Sequence, residues 1–334
     1  MTKGIYTLAN DVVYNQLVAL LNSIEVNVGP NFPVCVVPYD DRIEKIQAEI
    51  DTRTNVTLLT DTQRISRWDG FADQAWTTHP TAKKSWAEQG IKGVHRSGTH
   101  RRYCAFDPES PFEQFIYCDA DIVVLNSLDL IFNALDHHDF VVYDFQYKDL
   151  SHVFNGQSDK LRQLFKPEEI EQDIFCSGFY GSKRGLFDAQ QRQGLLSKLS
   201  EGEGEVLYPN APDQTLLNYM RMRLGIPIYN LVFNLPREQV TGNSVTSPHF
   251  EMRETAVYDK GQQLTYLHYI GLSSKLFDRL CAGENIDVPY RDIFLHYRYL
   301  HEPSQRPQFT TPPKPYNTPP SLVNRVMRKL GLTR

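Results

Sequence analysis

The sequence predicts an α/β fold in which helices flank a parallel sheet. Three observations carry that expectation. Strand-like and helix-like runs alternate from the first residues onward. A run of β-forming apolar residues at 115–118 leads directly into paired acids, and a second β-branched stretch, 122–124, follows. The chain is 334 residues long and 41% hydrophobic, enough for one large α/β domain or two small ones.

Taken in order, residues 4–9 read as a strand ending at Asn10-Asp11. Residues 11–28 read as a helix, with Val12, Val13, Leu17, Leu20, Leu21 and Ile24 at helical spacing and Asn10 or Asp11 as its cap. Residues 32–37 form a second strand, stopped by Pro38; 42–50 form a short helix and 55–59 a third strand. Such repetition places ligands at the carboxyl ends of the strands, where Asn10, Asp11 and Asp119 fall. Residues 61–110 hold all three tryptophans among many polar residues and are expected to be loops or short helices, then a helix near 98–107. Further strands are expected at 140–145, 175–181 and 264–269, and helices at 185–199 and 213–224. No internal repeat is visible.

After His301 seven prolines mark a semi-extended linker, 301–320, between a domain spanning 1–300 and a basic amphipathic segment, 321–334. In that segment Leu322, Val323, Val326, Met327 and Leu330 share one face opposite Arg325, Arg328 and Lys329. Peripheral attachment to anionic lipid is one reading. A helix packed on its own domain, or on a neighbouring subunit of a homo-oligomer, is the other.

The net charge of −5 supplies no basic field for nucleic acid. Five cysteines without CxxC spacing argue against a disulfide framework and against structural zinc. Asn55-Val56-Thr57 matches a glycosylation acceptor but reads as strand sequence. With no secretory signal and no bilayer-length apolar run, the expected location is cytoplasmic, and under the lipid reading the basic segment lies on the inner face of the membrane.

The most informative element is Asp119-Ala120-Asp121. Two carboxylates one residue apart at the end of a buried strand repel and lose hydration, and a hard divalent cation compensates both. A helix cap or solvated turn is the alternative, since about one such pair arises by chance in a chain of this size.

Five elements in order resemble a GT-A glycosyltransferase, most nearly the retaining family 8 type. They are Ala9-Asn10-Asp11, Tyr117-Cys118-Asp119-Ala120-Asp121, Cys176-Ser177-Gly178-Phe179, Asp213-Gln214 through Asn218, and His268-Tyr269-Ile270-Gly271 with Lys275. They span roughly residues 3–280. The resemblance implies a Rossmann-like fold with a mixed, mostly parallel sheet. It also implies sugar transfer from a nucleotide diphosphate, UDP by family habit, to a saccharide, lipid-linked glycan or small-molecule hydroxyl.

Asp119, Asp121 and His268 would ligate Mn2+, or Mg2+, with Asp119 also near the ribose. Asn10 and Asp11 would meet uracil and ribose, or cap the following helix. Arg102, in preference to Arg101, would reach the donor, although a solvated helix charge is equally open. Ser177 and Gly178 would floor the donor sugar. Asp213 and Gln214 would act near the anomeric carbon, with a helix-dipole carboxylate as Asp213's other role. Gly271 would admit a phosphate and Lys275 neutralise it. Here the chain departs from the family: the lysine lies four residues after the glycine instead of three.

A leaving-group phosphate oxygen would accept the acceptor's proton, so no dedicated base is required. An inverting enzyme would need one, and Asp213 is the candidate. A sugar nucleotidyltransferase would want a glycine-rich loop after the first strand, which is absent, and a non-catalytic nucleotide-sugar binder is disfavoured by the intact triad. His95 and His100, five apart, are expected in a polar, mobile loop that could order over the donor.

Overall fold

The structure, a computed structural model, describes residues 1–317. The expected basic segment and the last prolines lie outside the described residues. Seven strands build the central sheet: β1 (Lys3–Ala9), β2 (Val34–Pro38), β3 (Val56–Leu58), β4 (Gln114–Asp119), then, after the small strand β5 (Ile122–Val124), β6 (Phe140–Val142), β7 (Phe179–Lys183) and β8 (Tyr229–Asn230). Their spatial order is β3-β2-β1-β4-β7-β6-β8, and β7 alone runs antiparallel to its neighbours. The sheet is thus mixed and mostly parallel, as expected.

The alternation of side chains across the sheet separates two cores. Tyr6, Tyr117 and Tyr180 face one of them, where Phe106 stacks on Tyr180 at 5.8 Å. Ile5, Val36, Ile116 and Val141 face the other, against the helix Tyr14–Asn27. Full burial of such side chains contributes about 1.5–3 kcal/mol each.

The region around the tryptophans corrects the sequence expectation. Residues 62–77 form a sixteen-residue helix, Thr62–Thr77, whose start is capped by Asp61 accepting from Arg64 N–H at 2.9 Å. Trp68, Phe71, Ala72, Ala75 and Trp76 recur at helical spacing and are buried, so a narrow apolar stripe holds an otherwise polar helix in place. The following arginine-bearing segment, Ser97–Phe106, is a ten-residue 3₁₀ helix. His100 is not on a polar loop. It is fully buried and accepts from Trp76 Nε1 through Nε2 at 3.1 Å, and its Nδ1 lies 3.2 Å from the Ser97 carbonyl.

A third core gathers the C-terminal part. The meander β9 (Glu251–Arg253), β10 (Ala256–Asp259) and β11 (Gln262–Gln263) precedes β12 (Tyr266–His268), which pairs antiparallel with β5. The helices Ser274–Cys281 and Arg291–Arg298 cover it. The Pro-rich stretch runs back along this layer: β14 (Lys314–Pro315) pairs with β13 (Ile286–Asp287), Phe309 packs on the core and Arg306 meets Asp292 at 3.2 Å. No helix among the described residues is long and apolar enough to cross a membrane.

Candidate active site

Strand ends deliver the acidic cluster. β1 and β4 pair in parallel, Leu8 opposite Asp119, so Asn10 and Asp119 leave the sheet at the same edge. Pairing of β12 with β5 sets His268 opposite Ile122, and Tyr269 N–H donates to the Asp121 carbonyl at 2.9 Å. Ligand atoms of Asp119, Asp121 and His268 thereby lie within 4.8 Å of one another. His268 Nε2 is 3.2 Å from Asp121 Oδ1.

The donor set is two carboxylates and an imidazole, which suits Mn2+ and accommodates Mg2+. Burial pushes the Asp119 carboxyl up despite Arg102, with Asp121 adding to the rise. Burial also opposes ionisation of Asp121, but the neighbouring His268 holds its carboxyl below the usual range. Gly178 completes the fit: a Cβ there would stand 2.6 Å from His268 Cε1 and 3.0 Å from Asp119 Oδ2. The cradle therefore has room for these side chains only because residue 178 has none.

Arg102 is the electrostatic centre beside this cluster. Three residues per 3₁₀ turn set Arg101 and Arg102 in different directions. Arg101 turns to Asp69 at 3.0 Å, whereas Arg102 turns inward. Its guanidinium lies 3.2 Å from Asp119 and 3.1 Å from Asp213, donates to the Ser177 carbonyl at 2.7 Å and sits over the Tyr117 ring. Tyr117 O–H donates to Asp119 at 2.7 Å. Burial raises the Asp213 carboxyl, but Arg102, with His100 and Arg96 behind it, holds it at about 2.

A cavity of about 420 Å³ opens over this group, lined by Asn10, Tyr39, Arg42, Arg96, Arg102, Asp119, Ala120 and Asp121, with Leu272 and Ser274 on the far wall. A second, of about 220 Å³, lies on the His268 side and is lined by Asp144, Cys176, Phe179, Asn243 and Tyr266 among others.

The structure gives the remaining expected residues the following contacts. Asp11 does not line either cavity; its carboxylate accepts from the backbone N–H groups of Lys45 and Ile46. Asn10 caps the following turn through Val12 N–H and donates to Asp40 at 2.9 Å. Asp213 and Gln214 are buried behind the cavity: Asp213 accepts from Ser177 Oγ, and Gln214 bridges Ser177 N–H and the His152 carbonyl. Gly271 has φ of 79° with open space at its Cβ, so the turn, not a close approach, demands glycine. Lys275 is exposed on the first turn of its helix and lines neither cavity.

Sequence reading missed Tyr39, Arg96 and Asp144. Tyr39 and Asp144 follow β2 and β6 closely, so the strand-end rule could have flagged both. Arg96 holds a left-handed φ of 52°, which no local sequence signal announces.

The fold is the GT-A architecture, a mixed, mostly parallel sheet flanked by helices. Two solved glycosyltransferases carry it: the bifunctional WbbM, in apo form, and the galactosyltransferase LgtC, solved with donor and acceptor sugar analogues. WbbM superposes with a TM-score of 0.53 at 14% identity, over 92% of this chain and 52% of its own, so this chain spans about half of that protein. LgtC gives 0.50 at 13% identity, over 93% of this chain and 98% of its own. No protein-family model and no curated protein sequence matches the chain.

Proposed function

We propose that the protein is a divalent-metal-dependent glycosyltransferase, moving a sugar from a nucleotide diphosphate, a UDP-sugar by the family 8 resemblance, to an acceptor hydroxyl with retention. The observation that carries this reading is the convergence of Asp119, Asp121 and His268 beside a cavity at the carboxyl edge of the parallel strands. Mn2+ or Mg2+ held there would supply Lewis-acid neutralisation of the diphosphate.

The remaining work falls to this chain's own groups. Arg102 and Arg96 direct positive charge into the cavity and favour a diphosphate there. Asn10 and Tyr39 bound the end suited to the nucleoside, with Asp11 shaping that edge through the helix it caps. Ser177 and Gly178 form the floor, and Asp213 with Gln214 position Arg102 and Ser177. Gly271 turns the chain so that Leu272 and Ser274 close the far wall, and Lys275 remains the candidate for a phosphate contact from the rim. A cytoplasmic location with peripheral membrane contact through 321–334 belongs to the same reading.

A carboxyl held at about 2 and paired with Arg102 is a poor general base, which favours retention over inversion through Asp213. Asp144 is a buried acid of the His268-side cavity, with its own carboxyl pushed up by burial. Under retention, Asp144→Asn keeps transfer within about tenfold; a base lost would cost roughly 10²–10⁴-fold. NMR of the product anomer decides between them.

The direct test is thermal stabilisation by a panel of nucleotide sugars with and without Mn2+. Stabilisation that needs both components and disappears in Asp121→Asn is expected. Nucleotide binding of equal strength in Asp121→Asn with and without Mn2+ would refute the site.

A further inference from the structure

A groove of about 760 Å³ continues from the His268-side cavity, sharing Phe145, Asn243 and Ser244 with it. Its wall carries an aromatic pair, Tyr147 and Phe233, whose ring centres lie 4.8 Å apart, and Phe233 is 50% exposed. Lys148, Arg237 and Lys260 also line it. Among the described residues none of these three cations has an ion-pair partner within 4.0 Å, although the whole chain is acidic, with a net charge of −5. Asp259, the acid in the lining, is buried and already accepts from Gly242 N–H at 2.8 Å, with His249 Nε2 at 3.4 Å.

Lys260 adds an independent sign. With Gly261 it forms the two-residue turn between β10 and β11, at φ of 51° and 82°. Asparagine or glycine relieves the first position of such a turn, whereas lysine is strained there. Its ammonium stands on the rim of the groove.

Resting on the transferase reading above, we infer that this groove holds an anionic saccharide, the extension of the acceptor beyond the hydroxyl that receives the sugar. Ring faces of sugars pack on exposed aromatic side chains, and Asn243, Ser244 and Ser247 offer hydrogen bonds to hydroxyls. Lys148 already rests over the Phe145 ring at 4.7 Å, and carboxylate or phosphate groups along the saccharide would give it, Arg237 and Lys260 the ion pairs they lack. A lipid tail would leave those cations unpaired along a half-polar wall, so the saccharide is the occupant. Continuity with the His268 side leads the far end of the chain to the reacting centre.

The test measures binding of the full chain to galacturonate and glucuronate tetrasaccharides, a phosphorylated mannose oligosaccharide, neutral maltotetraose, and phosphatidylglycerol vesicles. The expected result is that at least one anionic saccharide binds about tenfold or more tightly than maltotetraose. Lys148→Ala/Arg237→Ala/Lys260→Asn should lose that preference, and asparagine at 260 keeps the turn. No anionic preference in the native chain, a preference unchanged in the triple variant, or vesicle binding in place of saccharide binding overturns the inference. Mn2+-dependent stabilisation by nucleotide sugar is measured on the same samples. Its absence in the native chain defeats the transferase reading independently, and its persistence in the triple variant shows that the variant is folded.

Discussion

A methyl group at position 178 would stand 2.6 Å from the His268 ring and 3.0 Å from an Asp119 oxygen, so one hydrogen atom decides whether Asp119, Asp121 and His268 can converge. Gly178→Ala is therefore expected to displace His268 and weaken Mn2+ binding by about 10–100-fold, the range for residues that orient metal ligands. Titration of Mn2+ against the folded variant checks it, and unchanged affinity would show that His268 does not need that space. At this scale the sequence was legible where chemistry is local. Asp119-Ala120-Asp121 announced itself because paired acids after an apolar strand require an explanation. The tasks of Asp11, Gln214 and Lys275 were not legible. Each is decided by partners far along the chain: backbone N–H groups of the helix Glu44–Ile50 for Asp11, and Ser177 and His152 for Gln214. For Lys275, the deciding factor is the exposed turn on which its helix begins.

The 3₁₀ helix Ser97–Phe106 is the element that ties the tryptophan layer to the site. Its His100 is buried, and burial pushes its pKa below the ordinary imidazole value. As pH falls below the unfolded value, near 6.5, the unfolded chain binds a proton that the native imidazole refuses. His100 thus contributes stability at neutral pH that is lost on acidification. His100→Gln can still accept from Trp76 and donate to the Ser97 carbonyl, and should flatten the loss of stability between pH 7 and 5. Urea midpoints at the two pH values measure it. An unaltered slope would mean that His100 is not a source of the acid sensitivity. Strands were the more legible elements, because β1, β2 and β4 are apolar runs bounded by turn residues, whereas β7, Phe179-Tyr180-Gly181-Ser182-Lys183, meets the strand expected at 175–181 only over 179–181. The helix Thr62–Thr77 escaped because its buried stripe is narrow and its mean composition polar, so that tertiary packing decides what local propensity does not.

Across the whole molecule the C-terminal third is held by long-range pairing. The helix Arg291–Arg298 packs along the helix Tyr14–Asn27, and Arg298 donates to Asn15 at 2.7 Å. Residues 301–317 return to the same layer through β14 and Phe309. Truncation after residue 301 is therefore expected to lower the Tm by a few degrees, since it uncovers apolar surface and unpairs β13. Calorimetry of the shortened chain checks it, and an unchanged Tm would make this stretch a passive tether. The antiparallel register of β5 and β12 brings Asp121 and His268 together from opposite halves of the chain. Until the second half has folded, only the two carboxylates are available to a cation. Under the proposed metal site, ion affinity would double as a gauge of completed folding: chelation is expected to loosen the C-terminal layer first, and lesions anywhere in that layer to be partly rescued by added Mn2+.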